Sequence, residues 1–180
     1  MIDNILIEKI YKEDRRSIAR AISIIESDNF SASDYLKELH KQVGNAYRIG
    51  ITGPPGAGKS TITNHLTKHL RKQNKKVGII AVDPTSPFTG GALLGDRVRM
   101  TDIGMDDGVF IRSMATRGSL GGLSKKAIDA ADVLDAAGFD FILLETVGVG
   151  QAELDIAQAA VTTSVVLVPE CGDSVQAMKA

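Results

Sequence analysis

At 180 residues the chain is long enough for one domain with a buried core. A formal net charge of −1 argues against a nucleic-acid scaffold, and a single cysteine, Cys171, excludes an internal disulfide framework and suits a reducing compartment. The N-terminus, MIDNILIEKIYKEDRR, is interrupted by charges every few residues and no apolar run elsewhere reaches bilayer length, so the expectation is a cytoplasmic protein with neither a membrane nor a nucleic-acid partner.

The chain divides by pattern into an N-terminal helical segment, residues 1–44, and an α/β region, residues 45–180. In the first, Ile18, Ala21, Ile22 and Ile25 recur at helical spacing. Ser31-Ala-Ser-Asp34 reads as the capped start of a second helix carrying Leu36, Leu39 and Val43, with Gly44 as its stop. From Tyr47 onward apolar runs alternate with helical stretches. Strands are expected at 47–52, 77–82, 109–113, 139–145 and 164–169, and helices at 59–72, 124–137 and 152–160, with Gly138 as a helix-ending glycine. Apolar strands separated by helices predict an α/β fold with a mostly parallel sheet flanked by helices, whose ligands bind at the carboxyl ends of the strands.

Between the first of these strands and the helix that follows it lies Gly50-Ile-Thr-Gly-Pro-Pro-Gly-Ala-Gly-Lys-Ser60, where Gly53, Gly58, Lys59 and Ser60 satisfy G-x-x-x-x-G-K-[ST]. Glycines there let backbone N–H groups converge on phosphate oxygens, and the following helix directs the positive end of its dipole at the same point. The phosphate cradle is thus Gly53, Pro54, Pro55, Gly56, Ala57, Gly58, Lys59, Ser60 and Thr61. Lys59 reaches the outer phosphates and Ser60 is a ligand for Mg²⁺. The alternative is a Gly-Pro turn before an exposed Lys-Ser pair; the strand, loop and helix in register favour the cradle.

Two further strands end in acids. Asp140-Phe-Ile-Leu-Leu-Glu145 closes on Glu145, with Gly148 three residues on. In a P-loop protein an acid at this place holds Mg²⁺, directly or through water, and the Gly148 N–H is placed to sense a γ-phosphate. Val77–Val82 closes on Asp83, which leads into a hydroxyl- and glycine-rich stretch ending at Asp96, of the kind that acts as a lid or switch. Asp83 also reads as an Asp-Pro turn former, and Asp96 as an N-cap. Arg112, at the end of another strand, is read either as neutralising phosphate charge or as a structural partner of Asp83 or Asp96. His65 and His69 share a helix face without an evident third metal ligand, and Cys171 has no base or second cysteine beside it.

The set GPPGAGKS, AVDPTSPFTGGALLGDRVRM, IRSMATRGSLGGL and ETVGVGQAE resembles the MeaB/ArgK/MMAA family of P-loop GTPases, from about Tyr47 to Lys179. The resemblance implies a P-loop NTPase fold and an enzyme that binds and hydrolyses GTP with Mg²⁺. That activity would be coupled to assembly or protection of an adenosylcobalamin-dependent acyl-CoA mutase. It implies phosphate contacts from Gly53–Thr61, Mg²⁺ at Ser60 with Asp96 and Glu145 nearby, and a catalytic set of Lys59, Asp83 and Glu145. It also implies switches at 83–100 and 145–153, and a third at 169–179. Members carry a later [NT]-K-x-D motif that reads guanine and then a dimerisation extension. Neither occurs before Ala180, so the expectation is a domain incomplete at its C-terminus, a guanine preference resting on the resemblance, and a homodimer for the longer protein. Two other activities compete: a phosphotransferase of the kind once linked to basic amino-acid transport, and a non-catalytic nucleotide-binding module.

Overall fold

Five strands, four of them rich in apolar residues, direct side chains to both faces of one sheet. The computed structural model describes residues 3–27, 32–83, 101–115, 122–146 and 158–168. In chain order the elements are helices α1 (Asn4–Tyr11), α2 (Arg15–Glu26) and α3 (Ala32–Leu39), a 3₁₀ turn (His40–Gln42), β1 (Tyr47–Thr52), α4 (Lys59–Lys72), β2 (Val77–Asp83), a single-turn α5 (Thr101–Gly104), β3 (Val109–Ala115), α6 (Gly122–Ala136), β4 (Phe141–Thr146) and β5 (Thr162–Val165). Among the described residues no helix is long and apolar enough to cross a membrane.

The sheet order is β3-β2-β4-β1-β5, and every pairing is parallel. The fold is therefore the expected α/β arrangement of a P-loop NTPase. Strand alternation sorts the core. Ile80 and Val82 of β2, Phe110 and Met114 of β3, and Ile142 and Leu144 of β4 face one side, where they share a buried cluster with α6 and with Leu6, Ile7, Ile10, Ile18, Ile22 and Leu39 of the N-terminal helices. Val77 and Ile79, Val109, and Leu143 face the other side, packing with Leu70 of α4 and Ile103 of α5. Three layers result, with β1 and β4 adjacent at the centre.

The N-terminal helices start where the charge pattern allows a cap. Asp3 accepts from the Ile5 and Leu6 N–H groups to open α1, and Asp14 accepts from Ser17 N–H to open α2. Gly44 follows the 3₁₀ turn at φ +109, and Gly138 closes α6 at φ +84, both as their sequence positions predict.

β2 and β3 run past their expected ends, to Asp83 and Ala115, and two strands start elsewhere than expected. β4 starts at Phe141 rather than Phe139, because Phe139 N–H is still bonded to Leu134 O and the Asp140 carboxylate accepts from Lys76 N–H, which makes 138–140 a connection. β5 starts at Thr162 and ends at Val165, two residues earlier than expected at its start. Thr162 pairs with Ile49 and Val165 with Thr52, so the strand runs out where β1 turns into the glycine loop. The helix expected at 152–160 is described only at its end, where residues 158–159 are helical.

Candidate functional site

The glycine loop leaves the carboxyl end of β1 and enters α4 at Lys59, so strand, loop and helix stand in the order the motif requires. Gly53 has φ +138, and a Cβ there would lie 2.2 Å from Val166 O. Only glycine lets the loop pass beneath the chain leaving β5 at that distance. Gly58 precedes α4 at φ +92 with no side-chain cap, so the backbone N–H groups of the first turn open into the loop. That combination of uncapped helix start and glycine loop is a site for anionic oxygens.

Lys59 is 7 % exposed, and its ammonium donates to Gly53 O at 2.7 Å and to Pro54 O at 2.9 Å. The cation is held inside the loop rather than projecting into solvent. On the neighbouring strand, Glu145 is 2 % exposed at the end of β4, directly across from Ile51 of β1. Ser60 Oγ donates to Glu145 Oε1 at 2.5 Å, and Thr63 Oγ1 donates to Glu145 Oε2 at 2.8 Å. The motif serine and the strand-end acid, 85 residues apart in sequence, are therefore in contact. Both present hard oxygen atoms, the donor type that Mg²⁺ takes, so the pair fits that ion.

Thr63 was not singled out by sequence reading. It lies one turn after Lys59 on the buried face of α4, which runs Lys59, Thr63, Thr67, Leu70. Threonine at two successive inward positions of a helix that otherwise buries leucine was the available signal.

The remaining predicted residues fall elsewhere. Asp83 closes β2, next to β4, with Ala81 registered against Glu145 and Val82 against Thr146. Asp96 and Gly148 lie outside the described residues, as do all of the expected switch at 83–100 but Asp83, all of that at 145–153 but Glu145 and Thr146, and the whole of 169–179 with Cys171. Arg112 shares its face with Phe110 and Met114, opposite to α4, and its guanidinium pairs with the Glu26 carboxylate and donates to Ser23 Oγ on α2. It binds the helical layer to the sheet and is not part of the phosphate loop. His65 and His69 line an open groove of about 590 Å³ with Lys68, Arg71, Lys72, Ile103 and Asp106, and His69 Nε2 is bonded to the Gln73 amide at 2.9 Å.

A family profile described as "Methylmalonyl Co-A mutase-associated GTPase MeaB" matches residues 18–180. A Pyrococcus abyssi protein with a provisional GTPase name is 58 % identical over 180 residues, which are 100 % of this chain and 55 % of that protein. The GTPase ArgK of Escherichia coli is 37 % identical over 177 residues, 96 % of this chain and 54 % of its own. The mouse protein named methylmalonic aciduria type A homolog, mitochondrial, is 35 % identical over 184 residues, covering 94 % of this chain and 44 % of its own. A crystal structure of LAO/AO transport system kinase superposes with a TM-score of 0.74 at 28 % identity, over 92 % of this chain and 51 % of that one. The chain spans about half the length of the curated relatives it matches.

Proposed function

The chain belongs to the MeaB family of methylmalonyl-CoA mutase-associated GTPases, and from that premise we propose that it binds GTP and GDP through Gly53–Thr61, hydrolyses GTP with Mg²⁺, and couples the nucleotide state to an adenosylcobalamin-dependent acyl-CoA mutase. The observation that carries the reading is the contact between Ser60 and the buried Glu145 beside the glycine loop.

The chain's own groups divide the work. The uncapped first turn of α4 and the loop N–H groups bind the phosphates, and their dipoles need no reorganisation as negative charge grows. Lys59, already desolvated, offsets charge on the outer phosphates more strongly than a solvated cation would. Ser60 and Glu145 would hold Mg²⁺, which would supply charge neutralisation at the β- and γ-phosphate oxygens. Asp83, closing the strand next to β4, is the proposed residue of the hydrolytic centre, and Asp96 and Gly148 complete the proposed metal and γ-phosphate contacts. Water attack in line with the leaving diphosphate then releases inorganic phosphate.

The test is turnover of GTP with Mg²⁺, measured for the parent and for Lys59→Ala, each with and without an acyl-CoA mutase. Release of inorganic phosphate, accelerated or arrested by the mutase, supports the reading. In Lys59→Ala the loss of about 2 kcal/mol of charge-assisted bonding lowers GDP affinity roughly thirtyfold. GDP affinity equal to the parent's by calorimetry would exclude the assignment of Lys59. A phosphorylated product in place of inorganic phosphate would replace hydrolysis by phosphotransfer, and nucleotide binding without turnover in either condition would leave a binding module.

A further inference from the structure

We propose that Thr63 is a positioning residue for the metal-binding acid: its hydroxyl fixes the second oxygen of Glu145, so that the first faces Ser60. The inference rests on the nucleotide reading above and adds to it a residue outside the glycine-loop motif. Thr63 is fully buried, and its Oγ1 lies 2.8 Å from Glu145 Oε2 and 3.0 Å from Lys59 O, one turn back. A hydroxyl has one proton, so the two acceptors compete for it. The shorter, charge-assisted bond to the carboxylate is the stronger of the two. Ser60 occupies the other carboxylate oxygen at 2.5 Å. The Glu145 side chain is thereby held at both ends by α4, and neither oxygen is free to rotate away from the Ser60 hydroxyl.

Thr67 supplies the internal comparison. It is just as buried, one turn further along the same face, and its hydroxyl donates back to Thr63 O at 2.7 Å. That is the ordinary fate of a threonine inside a helix. Thr63 departs from it because the helix start brings it under the end of β4. Groups that orient a metal ligand in this way are worth tenfold or more in metal affinity.

The experiment compares Thr63→Val, which is nearly isosteric and lacks the hydroxyl, with Thr63→Ser, which keeps the hydroxyl, and with Thr67→Val, in the full chain. GDP affinity is measured by calorimetry with EDTA and across a Mg²⁺ titration, each at a temperature well below the variant's own melting point. For Thr63→Val the expected result is GDP affinity in EDTA within about twofold of the parent and a Mg²⁺ half-saturation raised about tenfold. Thr63→Ser and Thr67→Val are expected to keep the parental Mg²⁺ response. A parental Mg²⁺ curve in Thr63→Val would overturn the proposal, as would equal impairment of Thr63→Val and Thr63→Ser, which would assign the effect to the shape of the side chain rather than to its hydroxyl. The parent alone judges the underlying reading: if its GDP affinity shows no Mg²⁺ dependence, the metal assignment of Ser60 and Glu145 falls, and this inference with it.

Discussion

Glu145 is a carboxylate at 2 % exposure that receives two hydroxyl hydrogen bonds. Burial of its carboxyl is offset because α4 donates a hydroxyl to each oxygen. Replacing it by glutamine keeps the shape and one acceptor, but sets an NH₂ group against a hydroxyl donor and removes the charge. In Glu145→Gln, GDP affinity in EDTA is expected to stay within about threefold of the parent, while the Mg²⁺ requirement for turnover rises about tenfold or more. Overlaying Mg²⁺ titration curves would reduce Glu145 to a structural strand-end acid. At this scale the sequence was informative where geometry is set locally. Lys59 and Ser60 follow from the spacing of a loop whose backbone conformation their own glycines determine, and Glu145 from its place at the end of an apolar strand. Thr63 and the partner of Arg112 were not legible. Thr63 gains its meaning from a strand 82 residues away, and Arg112 from a helix 86 residues away.

Among the elements, α6 carries two acids on a face that is otherwise alanine, valine and leucine. Asp135 accepts from the N–H groups of Gly44, Asn45 and Ala46, between 3.0 and 3.1 Å, and from Arg48 at 3.1 Å. Asp132 takes Arg48 at 2.6 Å and His40 at 2.8 Å. The connection from the helical layer into β1 is thus fastened by one helix. Alanine at 135 leaves three backbone donors without their acceptor and the Arg48 guanidinium with Asp132 alone, and the expected loss of unfolding free energy is about 3 kcal/mol or more. A urea titration of Asp135→Ala that matches the parent would refute this. The acids were visible in the sequence as polar residues on an apolar helix face, but nothing in α6 alone names the chain segment they bind.

A second clamp joins the end of α4 to the turn before β3. Arg71 Nε lies 3.0 Å from both oxygens of Asp106, and that hydrogen bond is the main cause holding the Asp106 carboxyl below its ordinary value. A carboxyl depressed in the folded state contributes stability above about pH 4, and the contribution disappears as pH falls through the folded value. Asp106 is partly exposed, so solvent screens the pair and the effect is modest. Asp106→Asn is therefore expected to lower the urea midpoint at pH 7 and to converge with the parent as pH drops below 4. A gap that persists unchanged at pH 3 would place the effect in packing rather than charge.

Over the whole molecule, the sheet order β3-β2-β4-β1-β5 brings the ends of β1 and β4 together, and this adjacency converts two separate sequence motifs into one site. The α/β alternation was legible from residue pattern because burial on both faces leaves near-continuous apolar strands. The seat of the N-terminal helices was not, because the periodicity of an amphipathic helix gives its apolar face but not what covers it. Here Leu6, Ile10, Ile18, Ile22 and Leu39 share one buried cluster with Ile80, Val82, Phe110 and Met114 of the sheet. Arg112 of β3 pairs with Glu26, and Arg15 lies over the Phe110 ring at 5.8 Å. Deleting residues 1–43 would expose that side of β2 and β3 along with α6, and the lost burial of several large aliphatic side chains, each worth about 1.5–3 kcal/mol, exceeds the total stability of an ordinary domain. A chain beginning at Gly44 is therefore expected to lose its cooperative thermal transition and to bind a hydrophobic dye at temperatures where the parent does not. A sharp transition within about 5 °C of the parent's, with no dye binding, would show that the α/β region folds without its helical layer.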